Sequence, residues 1–198
     1  TLLHPLVMLL IYTTLFGVVF QARWPGARST HLPDLALIIF CGMVVFHVFS
    51  ETVSAAPALV TSHPNYVRKV VFPLELLAVS HLIANLFQAL INFGLLLLAH
   101  GLLGGTLQPT LLLAPLLVLP LLFLTLGAAW LLAALGVFVR DLRHIVPLVV
   151  TALFFLTPIF YSSDSLPPRL AFLGTVNPLA FLVNAFRGIP LWGRLPDF

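Results

Sequence analysis

From Leu76 to Val139 the chain reads LLAVSHLIANLFQALINFGLLLLAHGLLGGTLQPTLLLAPLLVLPLLFLTLGAAWLLAALGVFV, 64 consecutive residues without Asp, Glu, Lys or Arg. Wound as helix at about 1.5 Å per residue, this stretch runs roughly three hydrocarbon thicknesses. Its middle is broken by Gly101, Gly104, Gly105 and Pro109, which predicts two spans joined by a short turn. A chargeless run of this length places the protein in a bilayer, and its function is something done in or across a membrane.

The rest of the chain agrees. It is 61% hydrophobic and 8% charged over 198 residues, with a mean hydropathy of +1.13, far from soluble composition. Cys41 is the single cysteine, so neither a disulfide framework within the chain nor a Cys-rich metal site is available. The nine Lys and Arg are scattered over several loops, with no dense basic patch for nucleic acid. The chain begins at Thr1 inside an apolar stretch and ends at Asp197-Phe198, which reads as one membrane domain, 1–198, cut from a longer protein.

Working outward from the long run gives five apolar segments: Leu2–Phe20, Leu35–Val53, Phe72–His100, Thr110–Val139 and Ile145–Tyr161. Each reaches or approaches the ~17–25 residues that a helical crossing takes. They lack the period-two alternation of a barrel, and backbone groups in lipid must bond internally, so an all-α bundle is predicted. Pro115, Pro120, Pro147 and Pro158 should kink or end helices. Between the spans lie a polar loop at 21–34, a longer loop at 54–71 with Pro57, a Gly-rich turn at 101–109, and the charged hinge Arg140-Asp141-Leu142-Arg143-His144. Residues 162–198 are mixed. If 54–71 and 140–144 share one side, that side has Arg68, Lys69, Arg140 and Arg143, against Arg23, Arg28, Arg169, Arg187 and Arg194 opposite. Four against five does not orient the bundle.

Polar residues inside the spans are few and patterned. His81, Asn85, Gln88 and Asn92 lie at offsets of 4, 7 and 11, within roughly 60° of one helix face. Such a stripe turns from lipid toward other helices or a wet lumen. It reads either as hydrogen-bonding glue between helices or as the lining of a pore or gate. His47, Glu51 and Ser54 also share a face; Glu51 is read as interfacial because it lies near the predicted loop, with a His47–Glu51 proton relay as the other reading. Tyr12 and Phe16 share a face of the first span, Trp130 sits deep in the fourth, and Phe154, Phe155, Phe160 and Tyr161 crowd the end of the fifth. These aromatics read either as packing and an interfacial belt or as a ladder that stacks on sugar rings. There is no H-E-x-x-H, G-x-S-x-G or P-loop motif, and no His or carboxylate spacing that suits a metal.

Three linked stretches carry a family resemblance. They are Asn65-Tyr66-Val67-Arg68-Lys69-Val70-Val71-Phe72-Pro73-Leu74-Glu75; Leu131-Leu132-Ala133-Ala134-Leu135-Gly136-Val137-Phe138-Val139-Arg140-Asp141-Leu142; and Phe154-Phe155-Leu156-Thr157-Pro158-Ile159-Phe160-Tyr161 with Leu166-Pro167 and Asn177-Pro178-Leu179. In order and spacing they resemble the membrane subunits of ABC-2-type exporters (the type V architecture), specifically the permeases for O-antigen, capsule and teichoic-acid polysaccharides.

The resemblance implies six membrane helices with both termini cytosolic. Five of the six would be present here, without the amphipathic N-terminal helix and the last span. It implies a coupling helix within Ala55–Lys69, started by Pro57, through which Ser62, His63, Asn65, Tyr66, Arg68 and Lys69 would meet a separate nucleotide-binding ATPase subunit. Arg140, Asp141 and Arg143 would form a cytosolic hinge. Re-entrant periplasmic gate helices would occupy 162–187, marked by Pro167, Asn177, Pro178 and Phe181. The implied assembly is a homodimer in the bacterial cytoplasmic (inner) membrane that passes a lipid-linked glycan between its subunits. ATP and Mg would bind only the partner, and this chain would carry no cofactor and no catalytic residue. An exporter of drugs or small lipophiles on the same fold is the nearest alternative, and a membrane-embedded lipid-modifying enzyme a more distant one.

Overall fold

The computed structural model describes Val7, Leu10, Ile11, Thr14 and Leu15, and then residues 32–63, 73–105, 108–162 and 176–193. These residues are helical apart from short turns, with no strand among them. Helix α1 is Leu32–Ser62 and α2 is Glu75–Leu102. A 3₁₀ turn, Pro109–Leu113, leads into α3, Ala114–Phe138. Helix α4 is Leu142–Leu156. Helix α5, Pro178–Arg187, continues into a π turn at Gly188–Trp192.

The helix starts follow local chemistry. Asp34 and Glu75 stand in the first turns of α1 and α2, where negative charge meets the positive end of the helix dipole. Pro115 and Pro178 occupy first turns of α3 and α5, where a missing N–H costs nothing. Between α2 and α3 the chain reverses at Gly104, whose φ of 80° is the left-handed region that favours glycine.

Helix α1 is the mast of the bundle, and α2, α3, α4 and α5 all pack on it. The most apolar part of α1 is 78% buried, against 17% for α2 and 22% for the α3 segment. Ile39 and Met43 of α1 join Leu82, Leu96, Ile159, Leu179 and Val183 among the fully buried side chains. Toward the C-terminal end of α1 the packing surface changes to small residues: Ala56, Ala78, Ala129 and Ala133 are buried. There Gly136 meets the backbone of Pro57 so closely that a Cβ would lie 2.7 Å from the Pro57 Cα. Small residues let membrane helices approach in this way.

Three described helical segments are long and apolar enough to cross a membrane: Asp34–Ser62, Glu75–Leu102 and Pro109–Phe138. They correspond to the second, third and fourth expected spans. The first, Leu2–Phe20, falls almost entirely outside the described residues, Tyr12 and Phe16 included.

Several boundaries differ from the sequence reading. Residues 54–62 are not loop, because α1 runs on through them with Pro57 inside the helix rather than at a start. Glu51 therefore lies well within α1, not beside a loop. The fifth segment stops at Leu156 instead of Tyr161 and has 15 residues, about 22 Å of helix, short of the ~30 Å hydrocarbon core. Trp130 lies within α3 and is 44% exposed, and its indole N–H donates to the Glu75 carbonyl in the first turn of α2 at 3.1 Å.

Candidate functional site, a polar clamp where α4 stops short

A helix that ends inside the protein, as α4 does beside the buried Thr157, Ile159 and Phe160, leaves carbonyls that water cannot reach, and each must find a donor. At the end of α4 these donors come from the chain itself. Thr157 donates its backbone N–H and its hydroxyl to the Leu153 carbonyl, at 2.9 and 2.7 Å. The Tyr161 hydroxyl turns back to the Leu156 carbonyl at 2.9 Å. The backbone then reverses through Pro158 and Ile159, with Ile159 N–H donating to the Thr157 carbonyl at 2.7 Å.

Helix α5 closes this turn from two positions. At its start, the Asn177 side chain accepts from Leu179 N–H at 3.0 Å, a helix N-cap, and donates to the Thr157 hydroxyl at 3.0 Å. At its last residue, Arg187 is fully buried. Its guanidinium donates through Nη1 to the Pro158 carbonyl, through Nη2 to the Ile159 carbonyl at 2.6 Å, and through Nε to the Ile38 carbonyl of α1 at 3.0 Å. Gly42 makes room for it: a Cβ there would stand 2.5 Å from Nη2. Beside it the Cys41 thiol donates to the Phe186 carbonyl at 3.5 Å. An apolar cleft of about 290 Å³ opens next to the clamp, walled by Phe49, Leu124, Leu153, Leu156 and the Val176–Leu179 segment.

Arg187 is the residue that sequence reasoning missed. It counted as one loop charge among five, whereas the fold buries it at the junction of three elements. The available signal was its place at the end of the apolar stretch Leu179–Phe186, since charged residues inside membrane segments are rare and partnered.

The predicted site residues separate into groups. Phe154 packs between Phe46 and Phe160, with ring centroids 5.1 and 5.0 Å apart. Phe160 is buried, whereas Phe155 is exposed and Tyr161 half-buried. Of the gate markers, Asn177 and Pro178 start α5, and Phe181 on the same helix is partly exposed; Pro167 lies outside the described residues. In the polar stripe, Asn85 donates to the Thr52 hydroxyl of α1 at 3.0 Å and contacts His81 Nδ1 at 3.2 Å, while Gln88 donates to Asn92 at 3.4 Å. Asn92 is buried. The Asn85–Thr52 bond joins α1 to α2, as the interhelical reading expects. His47 and Glu51 approach to 3.8 Å on one face of α1.

At the other end, Ser62 and His63 fold back on α1. Ser62 Oγ reaches the Leu59 carbonyl at 3.2 Å, and His63 Nδ1 lies 2.9 Å from the same oxygen. Arg140 and Asp141 are exposed between α3 and α4, and Arg143 is exposed in the first turn of α4, its Nε donating to His144 Nε2 at 3.0 Å. Asn65, Tyr66, Arg68 and Lys69 lie outside the described residues. Among the described residues no group of three or more His, Cys, Asp or Glu could hold a metal ion.

Helices packed around one buried mast, with three segments long and apolar enough to cross a membrane, suit a multi-pass membrane protein. The chain belongs to the ABC-2 type transporter family, whose model matches residues 1–191. It is similar to the O-antigen export system permease protein RfbA of Myxococcus xanthus, 29% identical over 199 residues that cover 100% of this chain and 74% of that protein. Two Klebsiella pneumoniae proteins of the same name are 24% and 23% identical over 195 residues, covering 97% of this chain and 71% of each relative.

Proposed function

We propose that this chain is the membrane subunit of an ATP-driven exporter that moves a lipid-linked, O-antigen-type polysaccharide across the bacterial cytoplasmic membrane. ATP and Mg bind a separate nucleotide-binding subunit. Two copies of the permease pair, and the glycan threads between them from the inner leaflet. The observation that supports this most is that O-antigen export permeases align with essentially the whole chain, so the likeness spans mast, clamp and hinge together. The clamp adds physical support. The irregular backbone after α4 is enclosed by protein, with Thr157, Ile159 and Phe160 buried, the condition under which a membrane protein tolerates a broken helix. On this reading the Ser62–Lys69 region and the Arg140–Arg143 hinge face the cytosol and the motor.

The test is purification of the full-length protein from its own membranes, with deletion of its gene in parallel. The expected result is co-purification of a nucleotide-binding ATPase and loss of surface polysaccharide on deletion. Intact polysaccharide with lost efflux of small lipophiles would move the substrate to the other exporter class. Purification as a lone species without an ATPase overturns the proposal. Replacing Asn65 and Tyr66 together by Ala should weaken ATPase association and leave membrane insertion intact, read by pull-down and membrane fractionation.

A further inference from the structure

We infer that Arg187 fastens α5 to α1 so that the two move as one rigid body, and that the conduit opens without α5 peeling away from the mast. The inference rests on the exporter reading above and adds to it a positioning residue.

The guanidinium spends three different nitrogens on three carbonyls that belong to two separate elements, α1 and the turn after α4. Only arginine offers so many donors in a fixed planar fork; a lysine ammonium is a single point on a flexible stem. In an α-helix the Ile38 carbonyl already serves the amide four residues on, and its second lone pair is free for Nε. The approach is open because residue 42 has no side chain. Around the fork, Leu179, Val183 and Ile189 are fully buried, and Cys41 is 1% exposed beneath α5. The N-terminal tie, Asn177 to Thr157, prevents pivoting about Arg187.

A state with α5 detached must strip the cation from all three acceptors. Each charge-assisted bond is worth about a factor of ten or more, so such a state is populated on the order of one part in a thousand. The mast carries the consequence to the far end. From Ile38 to Ser62 it is one uninterrupted helix, about 36 Å long. A displacement of α1 at its contact with Gly136 is carried along the helix toward the clamp, and α5 and the Pro158–Ile159 turn follow it.

Cys41 is a native reporter. In the full-length complex with its ATPase, reconstituted in lipid vesicles, maleimide modification of the Cys41 peptide is followed by mass spectrometry with and without ATP turnover. The expected result is equal protection in both; a rise of about tenfold or more during turnover overturns the inference. Export of the lipid-linked glycan by the wild-type complex is measured alongside. Its absence overturns the exporter reading and this inference with it, whereas export with exposed Cys41 overturns this inference alone. In a second arm, Gly42→Ala pushes the guanidinium aside and Arg187→Lys removes the fork while keeping the charge. Both should retain ATP hydrolysis within about twofold and lose about tenfold in glycan exported per ATP, the size of one charge-assisted bond. Unchanged coupling in both variants overturns the inference. If neither variant assembles, the wild-type labelling decides alone.

Discussion

At the scale of single residues, among the described glycines Gly136 against Pro57 leaves the least room for a side chain. A methyl at Gly136 would overlap the Pro57 backbone, and neither partner can move without shifting a whole helix. Overpacking of this kind costs about 1–3 kcal/mol. Gly136→Ala should therefore lower the melting temperature of the detergent-solubilised protein, whereas Gly127→Ala, whose Cβ would meet nothing within 4 Å, should not. The Asn85–Thr52 bond calls for a different measurement. Interhelical hydrogen bonds in membranes average about 0.6 kcal/mol, so Asn85→Ala and Thr52→Val should each destabilise slightly, and the double variant should show coupling of that size in a thermal-denaturation cycle. Coupling indistinguishable from zero would turn the Asn85 side chain over to another partner. Helical spacing alone decides which residues of this stripe share a face. It could not name Thr52 as partner, because register between helices is a tertiary property. Arg187 eluded it for the same reason: whether a cation stands in water or against three carbonyls depends on elements far away in the chain.

At the scale of elements, the end of α4 and the start of α5 show what local chemistry can and cannot reveal. The resemblance implied a helix marked by Asn177 and Pro178, and the structure has Asn177 capping α5 with Pro178 in its first turn. Pro57 offered the same signal and misled, because it stands inside α1. Proline marks a first turn only where the chain before it is not already helical, and membrane helices tolerate internal proline better than soluble ones. The end of α4 was placed too late for a related reason. Phe160 and Tyr161 are as apolar as what precedes them, and hydropathy cannot tell helix from a buried turn. The Asn177 side chain serves both α5 and Thr157, so its loss should exceed that of a simple cap. Asn177→Ala is expected to cost more than the ~1 kcal/mol of an N-cap. Asn177→Asp, which keeps the cap acceptor and loses the donor to Thr157, should cost less. Limited proteolysis after residue 157 in detergent would rank the variants. Equal cleavage of wild type and Asn177→Ala would mean that the clamp stands on Arg187 alone.

For the whole molecule, the question is which solvent the outer faces meet. Helix α2 turns out Leu76, Ile83, Phe87, Leu90 and Leu98, and the α3 segment turns out Leu112, Leu116, Phe123, Leu131 and Phe138, each at least 47% exposed. Apolar surface of this extent on a folded protein marks contact with a membrane or another protein. Lipid or a second protein surface must therefore cover them, and the burial of α1 shows the inside-out logic. The mast takes the protein contacts and the peripheral helices take the bilayer. Composition alone conveys the bilayer, because a chargeless run has no other home. It does not reveal that α1, rather than the longer apolar run, is the centre, since burial among helices and burial in lipid select the same side chains. Nitroxide labels at Phe87→Cys and Phe123→Cys should show high collision rates with dissolved oxygen and low rates with a water-soluble nickel chelate, the pattern of a lipid-facing site. Labels at Arg140→Cys, on the exposed hinge, should show the reverse. A nickel-dominated signal at both Phe positions would place α2 and α3 around water instead of at its margin, and the bundle would then have to be turned inside out about α1.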